Sequence, residues 1–157
     1  MSAPDYGEVA TTDDLPQPDE AVIVASIHPQ HSQAILDGTK TVELRRRLPK
    51  RDADWVLIHE TAPTSMVVGH VEVYGVLTGP ARFFWEQFAG RVGEVSEAEF
   101  HAYFDGMELA QGLLLFNPVR WSTPLPIDLL GLTRPPQSWG YVDVDRAAEA
   151  MVLGGGS

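Results

Sequence analysis

Short apolar runs separated by glycine and proline turns dominate this chain. Four of them, rich in β-branched or other apolar residues, predict strands at residues 21–27, 55–60, 66–77 and 112–116. The Asn117-Pro118 pair after the fourth run predicts a turn. Strands and helices do not alternate steadily, which argues against a doubly wound parallel sheet and favours an α+β fold. We therefore expect a small, partly closed β-barrel with flanking helices.

Helices are predicted from caps and from the spacing of apolar residues, at residues 28–37, 79–88, 97–104 and 143–153. Gly38 supplies the left-handed end of the first helix. Ser96 and Glu99 form a capping box before the third helix. The aromatic residues of that helix are expected to face the core: Phe100, Tyr103 and Phe104.

Residues 38–47, with the sequence GTKTVELRRR, place strong charges on a predicted strand. Alternation puts Val42 and Leu44 on one face, and Glu43 and Arg45 on the other. Lys40 lies at the turn before the strand, where alternation need not hold. Such a set at a helix–turn–strand junction suits recognition of a polar ring or an anion, and it suits proton transfer. The spacing alone favours the other interpretation, a solvated, charge-balanced edge strand.

The order Gly38, Lys40, Glu43, Arg45, preceded by His28-Pro29, resembles the G-x-K-x-x-E-x-R signature of the ASCH domain family, which is PUA-like. The resemblance spans residues 21–142 and closes with the run PPQSW at residues 135–139. It implies a small PUA-like β-barrel whose cleft is lined by the motif. It also implies binding of RNA or of a modified nucleobase or nucleoside. One small branch of the family implies an alternative, an amidohydrolase acting on N4-acetylcytidine.

Candidate site residues follow from this resemblance. The candidate ligand-binding residues are His28, Lys40, Glu43, Arg45, Ser138 and Trp139. In a binding protein, Glu43 accepts hydrogen bonds from a base, while Lys40 or Arg45 meets a carbonyl or a phosphate. Trp139, held by a proline turn, either stacks on a base or packs over the barrel mouth.

Lys40 and Glu43 are the candidate catalytic residues of the hydrolase alternative. Desolvation would lower the pKa of Lys40, so that the amine activates water or acts as a nucleophile. The amidohydrolase branch carries a hydroxyl residue three positions after this lysine, where the chain has Glu43. That branch also has a downstream glutamate, for which Glu94 is the candidate here. The departure at Glu43 ranks binding above turnover.

Composition narrows the possible classes of protein and of functional site. The chain has 157 residues, of which 44% are hydrophobic, so we expect one domain. No apolar run is long enough to span a membrane, so we expect a cytoplasmic protein without a membrane partner. The absence of cysteine removes disulfides and thiolate catalysis. His28 and His31 have the spacing of zinc ligands but lack a third ligand, so we expect no metal and no cofactor. The oligomeric state is left open.

Charge is distributed unevenly along the chain. The net charge of −11 argues against a protein that coats nucleic acid nonspecifically. Residues 40–51 nevertheless hold six of the eleven basic residues, while residues 1–20 hold six acids and no base. We expect a disordered acidic tail at residues 1–20, an ASCH domain at 21–142, and a C-terminal helix with a flexible end at 143–157. An interaction domain with a regulatory acidic tail is a third open class.

Overall fold

The structure, a computed structural model, describes residues 14–155. Its strands are β1 (Val22–Ile27), β2 (Val42–Leu44), β3 (Trp55–Glu60), β4 (Met66–Gly79), β5 (Ala110–Leu125) and β6 (Trp139–Val142). Its helices are α1 (Pro29–Leu36), α2 (Ala81–Phe88), α3 (Glu97–Tyr103) and α4 (Val144–Gly154). Residues 1–13 of the predicted disordered tail and residues 156–157 of the predicted flexible end lie outside the described residues.

The six strands form one mixed sheet in the order β2-β5-β4-β3-β1-β6. Strands β1 and β3 run parallel, and the other neighbouring pairs are antiparallel. The two outer strands, β2 and β6, do not pair with each other, so the predicted barrel is not confirmed. The chain leaves the sheet after three residues in β2, and residues 45–51 run between the two outer strands instead. The fold is a mixed α/β sheet with four helices.

Strand β5 is longer than the sequence predicts. The predicted turn at Asn117-Pro118 lies inside a continuous strand from Ala110 to Leu125. Asn117 has a φ of 50°, and the register with β4 shifts nearby, between His70 and Glu72. A bulge of this kind leaves a residue unpaired, which accommodates a proline that has no N–H to donate.

Helices cover both faces of the sheet. On one face, α1 packs Ile35 and Leu36 against β1, β3 and β4. On the opposite face, α4 buries Ala147, Ala150 and Met151. Leu15, in the segment before β1, packs against this second core. No helix among residues 14–155 is long and apolar enough to cross a bilayer.

A third hydrophobic core packs against strand β2, which carries the motif. It contains Val42 and Leu44, with aromatic residues from α2 and α3 stacked beneath them: Phe84, Phe100 and Phe104. The capping box of α3 is confirmed, with the Ser96 hydroxyl accepting from the Glu99 N–H at 3.1 Å and the Glu99 carboxylate accepting from the Ser96 N–H at 3.0 Å. Burial of Val42 and Leu44 turns Glu43 and Arg45 towards the other side of the strand.

Helix α1 rests on β4 at Gly69, and this contact holds the helix beside the motif. A Cβ at residue 69 would lie 2.7 Å from Leu36 Cδ2 and would also overlap the carbonyl oxygen of Val119. Gly75, on the same strand, has no atom within 4 Å of the corresponding position.

We predict that Gly69→Ala lowers the free energy of unfolding by about 1–3 kcal/mol, because a methyl group there overpacks the α1–β4 contact. Gly75→Ala is the matched control and should leave stability nearly unchanged or raise it slightly. Urea unfolding followed by tryptophan fluorescence measures both variants. Equal stabilities of the two would contradict the close packing at Gly69.

Candidate functional site

The motif begins where α1 ends. The backbone N–H groups of Thr39 and Lys40 both donate to the carbonyl of Ala34, at 3.0 Å each, and Gly38 adopts a φ of 82° between them and the helix. Thr41 then donates from its N–H to Arg91 and accepts from Leu115. These bonds fix the turn, so Lys40 departs from strand alternation and points to the same side as Glu43.

The Lys40 ammonium is almost completely buried, with 3% of the residue exposed. Its Nζ lies 2.8 Å from the carbonyl oxygen of Val92, 3.4 Å from Glu43 Oε1 and 3.4 Å from His31 Nδ1. An ammonium has three N–H donors and no acceptor. Each donor therefore has one partner, and the three partners come from different parts of the fold.

His31 takes its tautomer from this contact. Because the Lys40 ammonium can only donate, His31 Nδ1 accepts, and the ring hydrogen of the neutral imidazole is assigned to Nε2. Burial, followed by the positive charge of Lys40, lowers the pKa of His31. The neutral imidazole thus presents an N–H donor away from Lys40.

Glu43 lies between two cations. Its Oε1 faces Lys40, and its Oε2 lies 3.3 Å from Arg45 Nη2. The Arg45 guanidinium also donates to Ser138 Oγ at 2.7 Å and to the carbonyl oxygen of Ser26 at 3.3 Å. Arg45 therefore links the end of β2 to β1 and to the residue before β6. We call Lys40, Glu43 and Arg45 the motif triad.

Burial lowers the pKa of Lys40 below its ordinary value. Glu43 opposes the shift through its charge and its hydrogen bond, while the positive charge of Arg45 adds to it. Desolvation is the largest of these effects because the Lys40 side chain is buried almost completely. The triad thus holds a lysine that gives up its proton more readily than one on the surface.

The motif triad forms one wall of an open cleft of about 440 Å³. The other polar groups that line the cleft are Ser26, His28, His31, Glu99, Tyr103 and Gln137. His28 is exposed, and its Nδ1 lies 3.2 Å from the Thr61 hydroxyl. Its side chain makes no capping hydrogen bond to α1. Donors and acceptors therefore surround a space within the size range of small-molecule sites.

Ser138 and Trp139 take positions behind the cleft. Ser138 supports Arg45, as described above. Trp139 lines a small apolar cavity with Ile23 and Pro49 on the far side of Glu43 and Arg45. Its indole Nε1 donates to the carbonyl oxygen of Arg47 at 3.2 Å. Of the six predicted ligand-binding residues, the structure thus brings His28, Lys40, Glu43 and Arg45 to the cleft.

Tyr103 is a cleft residue that the sequence analysis placed in the core. Its side chain is exposed, with 39% of the residue accessible, because Phe100 and Phe104 already occupy the buried face of α3. The hydroxyl accepts from the Arg46 N–H at 3.2 Å and donates to the Leu44 carbonyl at 3.4 Å. The hydroxyl was the available signal, since tyrosine often leaves its polar end in solvent.

Two other candidates change role in the structure. His31 was considered only as a zinc ligand, yet it contacts the Lys40 amine. Glu94 lies in a separate groove with Gln33 and Thr39, where it accepts from Gln30 Nε2 at 3.0 Å. Among residues 14–155, no three His, Asp or Glu side chains are grouped closely enough to hold a metal ion.

Comparison with known proteins identifies the family of this chain. The ASCH domain family model matches residues 26–111. An ASCH domain-containing ribonuclease from Zymomonas mobilis is 36% identical over 147 residues, which cover 89% of this chain and 95% of the relative.

Solved structures show the same fold. The crystal structure of a serine-to-alanine variant of the Zymomonas mobilis ASCH protein superposes with a TM-score of 0.75 at 28% identity, covering 90% of this chain and all of that one. The structure of the ASCH protein from the same organism has a TM-score of 0.71 at 27% identity, covering 87% of this chain and 96% of that one. The resemblance stated from the motif is confirmed.

We predict opposite effects of the two charged neighbours on the pKa of Lys40. Glu43→Gln should lower it further, because the opposing negative charge is lost, and Arg45→Gln should raise it. A ¹³C NMR titration of the lysine Cε signals measures the pKa of Lys40 in each variant. The chain has two lysines, Lys40 and Lys50, and the exposed Lys50 serves as the internal reference. Shifts of the same sign in both variants would contradict the electrostatic arrangement.

Proposed function

Because this chain belongs to the ASCH domain family, we propose that it binds RNA, holds one nucleotide in the motif cleft and cleaves the strand there. The supporting observation is the Glu43 carboxylate, set between two cations in a cleft with neutral donors on its rim. The relative named as a ribonuclease, which aligns over nearly its whole length, supports the cleavage step.

The triad organises the cleft more than it supplies free donors. All three N–H groups of Lys40 have partners, and both terminal nitrogens of Arg45 donate to Glu43, Ser26 or Ser138. A carboxylate offers about four lone-pair positions, so Glu43 retains acceptors for the amino or ring N–H of a base. The positive charges hold Glu43 in place.

Rim residues would make the other ligand contacts. The Nε2–H of His31 donates to a phosphate or a carbonyl oxygen, and the amide of Gln137 offers both donors and an acceptor. The exposed ring of Tyr103 gives a base a surface on which to stack. Together these groups suit an unpaired nucleotide.

Cleavage would use the 2′-hydroxyl of RNA as the nucleophile. Its oxygen bonds to the adjacent phosphorus while the bond from phosphorus to the 5′-oxygen breaks, giving a cyclic phosphate and a 5′-hydroxyl. A base must take the 2′-hydroxyl proton, and the departing oxygen must receive one. Glu43 would accept the 2′-hydroxyl proton and, as the protonated carboxyl, return it to the departing 5′-oxygen. The charges of Lys40 and Arg45 would stabilise the negative charge that builds on the phosphate oxygens.

We predict that Glu43→Gln weakens RNA binding by about 1.5–3 kcal/mol, because a charge-assisted hydrogen bond is lost. Lys40→Met should abolish cleavage, because it removes the charge that positions Glu43. Fluorescence anisotropy and gel analysis of a labelled oligouridylate measure the two effects, and thermal melts report on folding. Glu86→Gln, an exposed carboxylate on α2, is the matched control. Wild-type affinity in Glu43→Gln would remove Glu43 from the site.

A second candidate, amidohydrolysis of N4-acetylcytidine, is favoured by the lowered pKa of Lys40. A neutral amine there would activate water for attack on the acetyl carbon, releasing cytidine and acetate. Against it, Glu43 replaces the hydroxyl residue of the amidohydrolase branch, and the Lys40 amine is held by three partners.

We predict slow or no conversion of N4-acetylcytidine to cytidine by the wild-type protein, measured by chromatography beside the RNA cleavage assay. The reason is that Glu43 favours the protonated form of Lys40. Rapid release of cytidine that is lost in Lys40→Met, without RNA cleavage, would rank the amidohydrolase first.

A further inference from the structure

The chain that leaves the cleft forms a basic loop at residues 45–51, which contains five of the eleven basic residues. Side chains of β6 hold its backbone. The indole of Trp139 donates to the carbonyl of Arg47, and the Tyr141 hydroxyl both accepts from the Arg51 N–H at 3.0 Å and donates to the Arg51 carbonyl at 3.2 Å. The loop is therefore anchored at both ends.

Three of the five cationic side chains are committed to the fold, the first being Arg45, which contacts Glu43, Ser26 and Ser138. Arg46 donates to the carbonyl oxygens of Tyr103 and Asp105, and Arg51 donates to the carbonyl oxygen of Asp19. Arg47 and Lys50 are exposed. Within the described part of the chain, neither side chain takes part in a hydrogen bond or an ion pair. Two charges thus face solvent from an anchored backbone.

Aromatic rings lie beside these charges. Trp139 and Tyr141 project from the same face of β6, with ring centroids 5.4 Å apart, and Tyr141 is 46% exposed. Glu20 and Asp143 line the adjacent groove. Their carboxylates accept hydrogen bonds, Glu20 from the Trp55 indole and Asp143 from the backbone N–H of Arg146, so each is partly satisfied within the protein.

We infer that Arg47, Lys50, Trp139 and Tyr141, here called the loop surface, bind the RNA strand where it leaves the cleft. The inference rests on the proposed function. The exposed ring of Tyr141, with the half-buried ring of Trp139 behind it, suits unpaired RNA, whose bases stack while its phosphates meet the charges. From Ser138, under Arg45, to Tyr141 the strand rises about 10 Å. That distance matches about three stacked nucleotides at ~3.4 Å each.

Length dependence tests the loop surface. Labelled oligouridylates of one to eight nucleotides are titrated at 4 °C by fluorescence anisotropy, and their integrity is checked afterwards. Affinity should rise until the strand is about four nucleotides long, one in the cleft and about three on the loop surface, and should then level off. A competing RNA duplex should displace the octamer poorly, and a duplex that binds as tightly as the octamer would overturn the single-strand assignment.

Variants separate the loop surface from the cleft. Arg47→Ser and Lys50→Ser should each weaken octamer binding about 3- to 10-fold and reduce its salt dependence by about 0.7 in log–log slope. Binding of uridine monophosphate should not change in either variant. Arg82→Ser, on α2, is the matched control because Arg82 is exposed and pairs with Glu86. Tyr141→Leu should weaken octamer binding without changing its salt dependence.

The outcomes distinguish this inference from the proposed function. The inference about the loop surface is wrong if the mononucleotide and the octamer bind equally well. It is also wrong if Arg47→Ser and Lys50→Ser bind the octamer as tightly as Arg82→Ser does. In both cases the cleft assignment stands. If no RNA of any length binds, both proposals fail. If Glu43→Gln leaves octamer binding intact while the loop variants lose it, the loop surface stands and the cleft assignment fails.

Discussion

The buried ammonium of Lys40 is the constraint on which the motif region depends. A charge removed from water is costly unless each of its donors finds a partner. Here the partners are His31 on α1, the Val92 carbonyl in the segment before α3, and Glu43 on β2. Satisfying one amine therefore requires three parts of the chain to meet at one point, and the space in front of that point is the cleft.

Arg45 likewise brings distant parts of the chain together, in this case across the sheet. Its guanidinium contacts Glu43, the Ser26 carbonyl and Ser138, which belong to or flank β2, β1 and β6. Strands β2 and β6 are the outer strands, and no backbone ladder joins them. The guanidinium group carries several N–H donors in one rigid plane, so it can bond several acceptors at once. The Arg45 side chain therefore connects the two edges of the sheet, which a closed barrel would join through strand pairing.

The local arrangement of charge is compatible with the RNA ligand proposed above, although the protein as a whole is acidic. The net charge of −11 disfavours nonspecific contact with nucleic acid, yet six of the eleven basic residues fall within residues 40–51. Four of these side chains donate hydrogen bonds within the protein: Lys40, Arg45, Arg46 and Arg51. Those of Arg47 and Lys50 are exposed to solvent. Such a division would favour the proposed binding of a few phosphates at one place over nonspecific contact with nucleic acid.

Strand alternation predicted the burial of Val42 and Leu44, and the Ser96–Glu99 spacing predicted the α3 capping box. The order of the motif residues predicted the family. All three signals depend on residues that are close together in the sequence. Tertiary structure alone decided which groups face the Lys40 amine, since the Val92 carbonyl lies 52 residues away and has no signature in a sequence. It also decided the open sheet and the continuous β5, because strand pairing is settled between distant segments and can override a local turn signal such as Asn117-Pro118.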